Sequence, residues 1–180
     1  MTPGRSLLIA MVAVILLAGT RPTVGDEQYP RGLMSAAPTA SGNHTCTIDV
    51  QPVSFGMYDP LAGTTVDAVG RVTYVCGNLS SSSLAQGAKA IRIELDPGSS
   101  STFQRSMSAG TGLDHLEYNL YLDATHRTIW GNGTNGTDVY VDSSPPNRTP
   151  VVVPIYGRIA AMQDVPAGQY ADALLARIVF

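Results

Sequence analysis

The chain is poor in positive charge, and this limits the partners that it can bind. Of its 180 residues, 11 are basic and 14 are acidic, and Lys89 is the only lysine. Nucleic acids and anionic lipids are bound through clustered Lys and Arg side chains, and the sequence contains no such cluster. The composition therefore argues against nucleic acid and anionic membrane surfaces as partners.

Residues in the arrangements that catalysis needs are also scarce. The histidines His44, His115 and His126 are far apart, and no serine lies in a nucleophile-elbow motif. Asp114, His115 and Glu117 are close in sequence, but successive residues of a strand point to opposite faces of the sheet. Asp114 would therefore face away from His115 and Glu117. The sequence does not exclude a pair of carboxylates for glycoside hydrolysis, because such residues come together only in the folded chain. The sequence thus predicts no enzyme, no metal site and no cofactor.

No apolar run is long enough for an ordinary transmembrane helix, which needs about 20 residues. Residues 7–18 form an apolar run of about twelve, preceded by Arg5, and this pattern predicts a signal peptide. Residues 23–25 form the better cleavage motif and residues 18–20 a weaker one, while an uncleaved anchor is the alternative. We expect residues 1–25 to be removed, the chain to be exported, and no stable membrane insertion afterwards.

The chain has only two cysteines, Cys46 and Cys76. An even number in an exported protein predicts a disulfide. It would close a loop of 76 − 46 = 30 residues and stabilise the fold by roughly 3–4 kcal/mol through chain entropy. A metal site is disfavoured, because His44 is the only other ligand nearby.

What the sequence does contain is a series of short segments in which apolar residues alternate. They follow an extension rich in Pro, Ser, Ala, Gly and Thr, residues 26–45. Strands are predicted at residues 47–55, 66–76, 88–96, 115–123, 128–130, 138–141, 151–161 and 168–180, a turn at 56–60, and loops at 78–87 and 131–137. Short strands at this spacing, without an amphipathic helix, predict an antiparallel β-sandwich over residues 46–180.

The last predicted strand ends on an aromatic residue, although chain ends are usually polar unless something holds them. Alternation along a strand places these residues on one face: Tyr170, Asp172, Leu174, Ala176, Ile178 and Phe180. Either this strand lies deep in the protein's own sheet, or its apolar face is meant for another polypeptide.

A set of short motifs follows the predicted strands in a fixed order. They are Cys46-Thr-Ile, Phe55-Gly-Met-Tyr-Asp-Pro60, Val75-Cys76, Arg105-x-Met107, Leu116-x-Tyr-x-Leu-Tyr121, Trp130-Gly131, Tyr156-Gly-Arg-Ile159 and Gly168-x-Tyr-x-Asp172. Together they resemble the spore coat U domain, the fold of pilin subunits in archaic chaperone–usher fibres. The resemblance implies structural roles for Phe55, Gly56, Tyr58, Trp130, Gly131, Tyr156, Gly157, Gly168, Tyr170 and Asp172.

The same resemblance implies an immunoglobulin-like sandwich that lacks one strand. Leu174, Ala176, Ile178 and Phe180 would line or border an open groove. A periplasmic chaperone would first fill the groove with a strand, and the extension of a neighbouring fibre subunit would replace it at an outer-membrane usher. The implied function is that of a structural or adhesive subunit of a pilus or coat, which passes through the periplasm to the cell surface.

Residues 26–45 depart from the donor pattern that such a subunit should carry. Their apolar residues, such as Tyr29 and Leu33, are sparse and are interrupted by Pro38. The alternative function is a stand-alone secreted binding module with a complete sandwich, whose loop around Trp130 contacts a ligand. A secreted hydrolase is a third hypothesis.

Overall fold

A computed structural model of the chain describes residues 10–20, 45–77, 90–109 and 113–179. Within these ranges the chain forms strands and no helix. The strands are β1 (Ala10–Thr20), β2 (Thr45–Gln51), β3 (Ser54–Tyr58), β4 (Val66–Gly77), β5 (Ile91–Leu95), β6 (Arg105–Ser108), β7 (His115–Tyr121), β8 (Tyr140–Asp142), β9 (Val151–Ile159) and β10 (Gln169–Val179). The all-β class is confirmed, and the described ranges hold no helix that could cross a membrane.

The strands join in one hydrogen-bonded path, β2-β4-β9-β7-β6-β10-β1-β3, while β5 pairs with β10 and with β8. Every pair of these strands is antiparallel except β1 with β10. β3 lies against β4, and β1 and β10 lie against β2, without pairing to them. The path therefore folds back on itself, with its buried faces inward, as predicted for a sandwich.

Alternation along the strands places the core where the sequence predicts it. The inward residues of β5 and β7 are buried, and so is every second residue of β10 from Tyr170 to Ile178. Cys46 and Cys76 are register partners on β2 and β4 and form the predicted disulfide. The same core cluster contains residues of β2, β4, β5, β7, β9 and β10, so one core serves the whole domain.

Several local predictions are wrong. The segment 47–55 is two strands, and β3 continues through the predicted turn as far as Tyr58. Gly56 has a φ of 74°, and the register of β3 against β1 shifts beside it, so the chain bends at a bulge instead of turning back. In the predicted strand 128–130, only Ile129 and Trp130 form isolated bridges. The predicted loop 78–87 lies within residues 78–89, outside the described ranges, as does Phe180.

Candidate functional site

The candidate site is the space between the facing edges of β3 and β10, which we call the β3–β10 groove. β1, formed by the predicted signal segment, occupies it. β1 runs parallel to β10, with partners from Met11 and Gln169 to Thr20 and Ile178. On its other side, β1 pairs antiparallel with β3. In this structure the groove is therefore filled by a strand of the same chain.

β10 forms one wall of the groove. Its other edge is already paired with β5 and β6, so β1 takes the only edge of β10 that the described strands leave open. Leu174 and Ala176 are 0% exposed and Ile178 is 2% exposed with β1 in place. These three residues face the core beside β1, their role in accepting a donated strand stays a prediction, and Phe180 lies outside the described residues.

β3 forms the other wall, and two buried aromatic residues anchor it. The ring of Phe55 packs edge-on against Tyr118, with 5.9 Å between centroids. The Tyr58 hydroxyl donates to the Ala160 carbonyl (3.1 Å) and accepts from the Gln163 amide (2.8 Å). A Cβ on Gly157 would lie 2.7 Å from the Phe55 ring. Gly157 is thus needed for Phe55 to pack, which explains this part of the motif.

Behind β10, the side chain of Arg105 is fully buried and holds several elements together. It donates two hydrogen bonds to the Asp96 carbonyl, at 3.1 and 2.8 Å, and one of 2.8 Å to the Trp130 carbonyl. A fourth, also 2.8 Å, reaches Asn119 Oδ1. Burial lowers the pKa of Arg105 to about 10. The guanidinium therefore stays charged at neutral pH and satisfies carbonyls that would otherwise be buried without donors.

Asp172 brings the opposite charge into the same region from β10. It is 4% exposed and accepts hydrogen bonds from the Tyr118 hydroxyl (2.8 Å) and the Ser99 amide (2.9 Å). Burial, and then the charge of Asp172, raise the pKa of Tyr118. We call Arg105, Tyr118, Asn119 and Asp172 the buried polar cluster. Through Asp172 the cluster links β10 to β7 and to the loop that contains Ser99.

Trp130 belongs to the core, whereas the loop that follows it is exposed at residues 132–136. The Trp130 side chain is 0% exposed, and its indole N–H donates to the Ile93 carbonyl at 2.9 Å. Gly131 is also buried. A Cβ at this position would lie only 2.8 Å from the Phe103 ring, so a larger residue would not fit. Trp130 therefore anchors the base of the loop in the core, and the alternative of a ligand-binding loop stays a prediction.

The remaining motif residues differ in burial. Tyr170 is buried, and its hydroxyl donates to the Pro166 carbonyl at 2.9 Å, while Gly168 and Tyr156 are half-buried.

His126 has a side-chain exposure of only 8% and packs edge-on against Tyr121 and Tyr156. Sequence reasoning missed this burial, because His126 lies in a polar loop.

The profile of the Spore Coat Protein U domain matches residues 32–177, which is most of the chain. The chain belongs to the Spore Coat Protein U domain family. The match includes β2 to β9 and nearly all of β10, whereas β1 precedes it. The strand that fills the groove is thus not part of the matched Spore Coat Protein U domain.

Two individual proteins are similar to this Spore Coat Protein U domain chain. Protein U of Myxococcus xanthus is 32% identical over 136 residues, which are 71% of each chain. The second is a chain in the crystal structure of the CsuC–CsuE chaperone–tip adhesion subunit pre-assembly complex, from archaic chaperone–usher Csu pili of Acinetobacter baumannii. It is 18% identical, with a TM-score of 0.49, and the similarity covers 76% of the present chain and 40% of that chain.

Removal of one hydroxyl tests the buried polar cluster. We expect Tyr118→Phe to lower the free energy of unfolding by roughly 1–3 kcal/mol, because Asp172 loses a buried hydrogen bond. The raised pKa of Tyr118 makes this contribution present below about pH 10, the pKa of an unfolded tyrosine, and lost as pH rises further. Denaturant titrations of the full chain at pH 8 and pH 11 would measure both effects.

Tyr121→Phe is the matched control, since the Tyr121 ring packs against His126 on the opposite face of β7 and its hydroxyl has no hydrogen-bond partner among the described residues. An equal loss of stability in the two variants would contradict a special role for the Tyr118 hydroxyl.

Proposed function

We propose that the chain is a structural or adhesive subunit of a secreted surface fibre or coat, completed by a strand that another polypeptide donates to the β3–β10 groove. The observation that carries this proposal is the position of β1. A segment outside the matched domain fills an edge of β10 whose core-facing residues need a neighbouring strand to be covered.

The energy of the groove supports this function. Without a strand between β3 and β10, the apolar side chains of Phe55, Leu174 and Ile178 would lose part of their cover. Burying about four such side chains is worth roughly 6–12 kcal/mol, at about 1.5–3 kcal/mol each. The whole stability of a domain is about 5–15 kcal/mol. A chain without its donated strand would therefore be barely folded, and the open edge of β10 would favour aggregation.

The partners follow from this requirement. A periplasmic chaperone supplies the first strand, an outer-membrane usher organises the exchange, and neighbouring fibre subunits supply the final strand by β-strand addition. The cell surface is the destination, reached through the periplasm after residues 1–25 are removed. The proposed role is structural or adhesive, without catalysis or a cofactor.

Expression of residues 26–180 in an oxidising compartment tests the proposal. We expect aggregates or mixed oligomers when the chain is produced alone, and a soluble one-to-one complex when a chaperone encoded in the same gene cluster is co-expressed. Size-exclusion chromatography distinguishes the two results. A soluble monomer that unfolds cooperatively without the chaperone would show that the sandwich is complete, and the proposal would fail.

A shortened variant distinguishes the ability of the subunit to accept a strand from its ability to donate one. Deletion of residues 26–40 removes most of the extension but leaves β2 to β10. If the extension donates a strand, the shortened subunit should still bind the chaperone but should no longer form fibres visible by electron microscopy. Fibres of normal length would exclude the extension from assembly.

A further inference from the structure

We propose that residues 10–20 close the β3–β10 groove in cis, so that the unprocessed chain is complete on its own and cannot accept a strand from another polypeptide. This inference rests on the proposed function of the groove. Removal of residues 1–25, which we call the leader, opens the β3–β10 groove. Cleavage of the leader thus controls when assembly can begin.

The fit of β1 along β10 is the first support. Both strands contain 11 residues, and residues 11–20 pair with residues 169–178 in one unbroken register. β1 also reaches β3, where Ala10 pairs with Tyr58 and Val12 with Gly56. The segment thus satisfies backbone groups on both walls of the groove, as a strand donated from outside would have to do.

The composition of the segment is the second support. Residues 10–20 read AMVAVILLAGT, with no charge to desolvate and no proline to interrupt the hydrogen bonds of a central strand. Residues 26–45 contain Pro30, Pro38 and the charged residues Asp26, Glu27 and Arg31. Between the two segments that precede the domain, the leader is therefore the better strand for this groove.

Covalent attachment makes the leader a strong competitor. A segment linked to its own binding site has an effective concentration in the millimolar range. At equal intrinsic affinity, a strand offered by another chain at about 10 μM would therefore fill about a hundredfold fewer grooves of the unprocessed chain than the leader does. The leader thus blocks exchange without any contact beyond those of β1.

The test uses a fluorescein-labelled peptide with the sequence of residues 10–20 and a solubilising lysine tail. Chains 1–180 and 26–180 are refolded from guanidinium in a glutathione redox buffer with this peptide at about 10 μM. We expect chain 26–180 to bind the peptide, measured by anisotropy, and chain 1–180 to bind about a hundredfold less. The fluorescence of Trp130, buried when folded, reports folding in each sample.

Two leader variants provide a matched pair. Leu16 is the register partner of Leu174, which faces the core, whereas Leu17 is the partner of half-buried Leu175. In chain 1–180, Leu16→Asp should open the groove and restore peptide binding, while Leu17→Asp should not. If Leu16→Asp also prevents folding, the peptide added in trans should restore the Trp130 signal.

The outcomes separate this inference from the proposed function. Equal peptide binding by chains 1–180 and 26–180, or equal effects of the two aspartates, would overturn closure in cis. Chaperone rescue of chain 26–180 without any peptide binding would also overturn it, but would leave the proposed function intact. A chain 26–180 that folds alone and binds neither peptide nor chaperone would overturn both.

Discussion

Replacing Arg105 with methionine should destabilise the full chain by roughly 3–5 kcal/mol, the cost of removing one partner from a buried group of charges. Methionine has a similar length and no charge, so the change removes the guanidinium with little change in volume. The Asp96 and Trp130 carbonyls would lose the donors that satisfy them. Asp172 would lose the positive charge of Arg105 from its surroundings.

The loss would be visible as a lower midpoint in a guanidinium titration followed by circular dichroism. Arg92→Met is the control, because Arg92 is on β5 with a side-chain exposure of 46% and forms only a 3.6 Å ion pair with Glu94. A surface pair of this kind is worth at most about 1 kcal/mol. If Arg105→Met were as mild as Arg92→Met, the buried polar cluster would not hold the fold together.

Replacing Gly98 with alanine should cost roughly 4–8 kcal/mol, from two sources that a control can separate. Gly98 has a φ of 69°, which strains any other residue by about 1–2 kcal/mol. The new Cβ would also lie only 2.8 Å from Asp172 Cγ, so the carboxylate would have to move away from Tyr118 and Ser99. Each hydrogen bond to a charged group contributes roughly 1.5–3 kcal/mol.

Gly136→Ala isolates the backbone part of this effect. Gly136 has a similar φ of 77°, but nothing lies within 4 Å of a Cβ built there. We therefore expect Gly136→Ala to cost only about 1–2 kcal/mol. Comparison of the two variants by denaturant titration yields the contribution of the Asp172 contact. Equal losses would mean that Asp172 can move freely, which would contradict a rigid inner face for β10.

The strands with a clean two-residue period could be predicted from the sequence. In β5, β7 and β10 the predicted inward residues are the buried ones, because alternation in a strand is a local property. β6 was not predicted as a strand, since Arg105 occupies an inward position where an apolar residue is expected. A charged residue in that position has a place in the core only when its partners, Asn119 and two carbonyl groups, are present.

The candidate site could be predicted only in part. The apolar face of β10 follows from its alternation, and the order of the motifs identifies the family. The occupant of the groove does not follow from either. The run 7–18 predicts a signal peptide from its length and flanks, whereas its pairing with β10 depends on an edge that exists only after β10 joins β5 and β6.

The sequence by itself determined the all-β class, the disulfide between Cys46 and Cys76, the inward face of β10 and the family. Each depends on local spacing or on residue identity. Only the tertiary structure decided that Arg105 and Asp172 share a buried polar cluster, that Trp130 is in the core, and that β1 fills the β3–β10 groove. These features join residues far apart in the chain, and such contacts depend on how the strands pair in three dimensions.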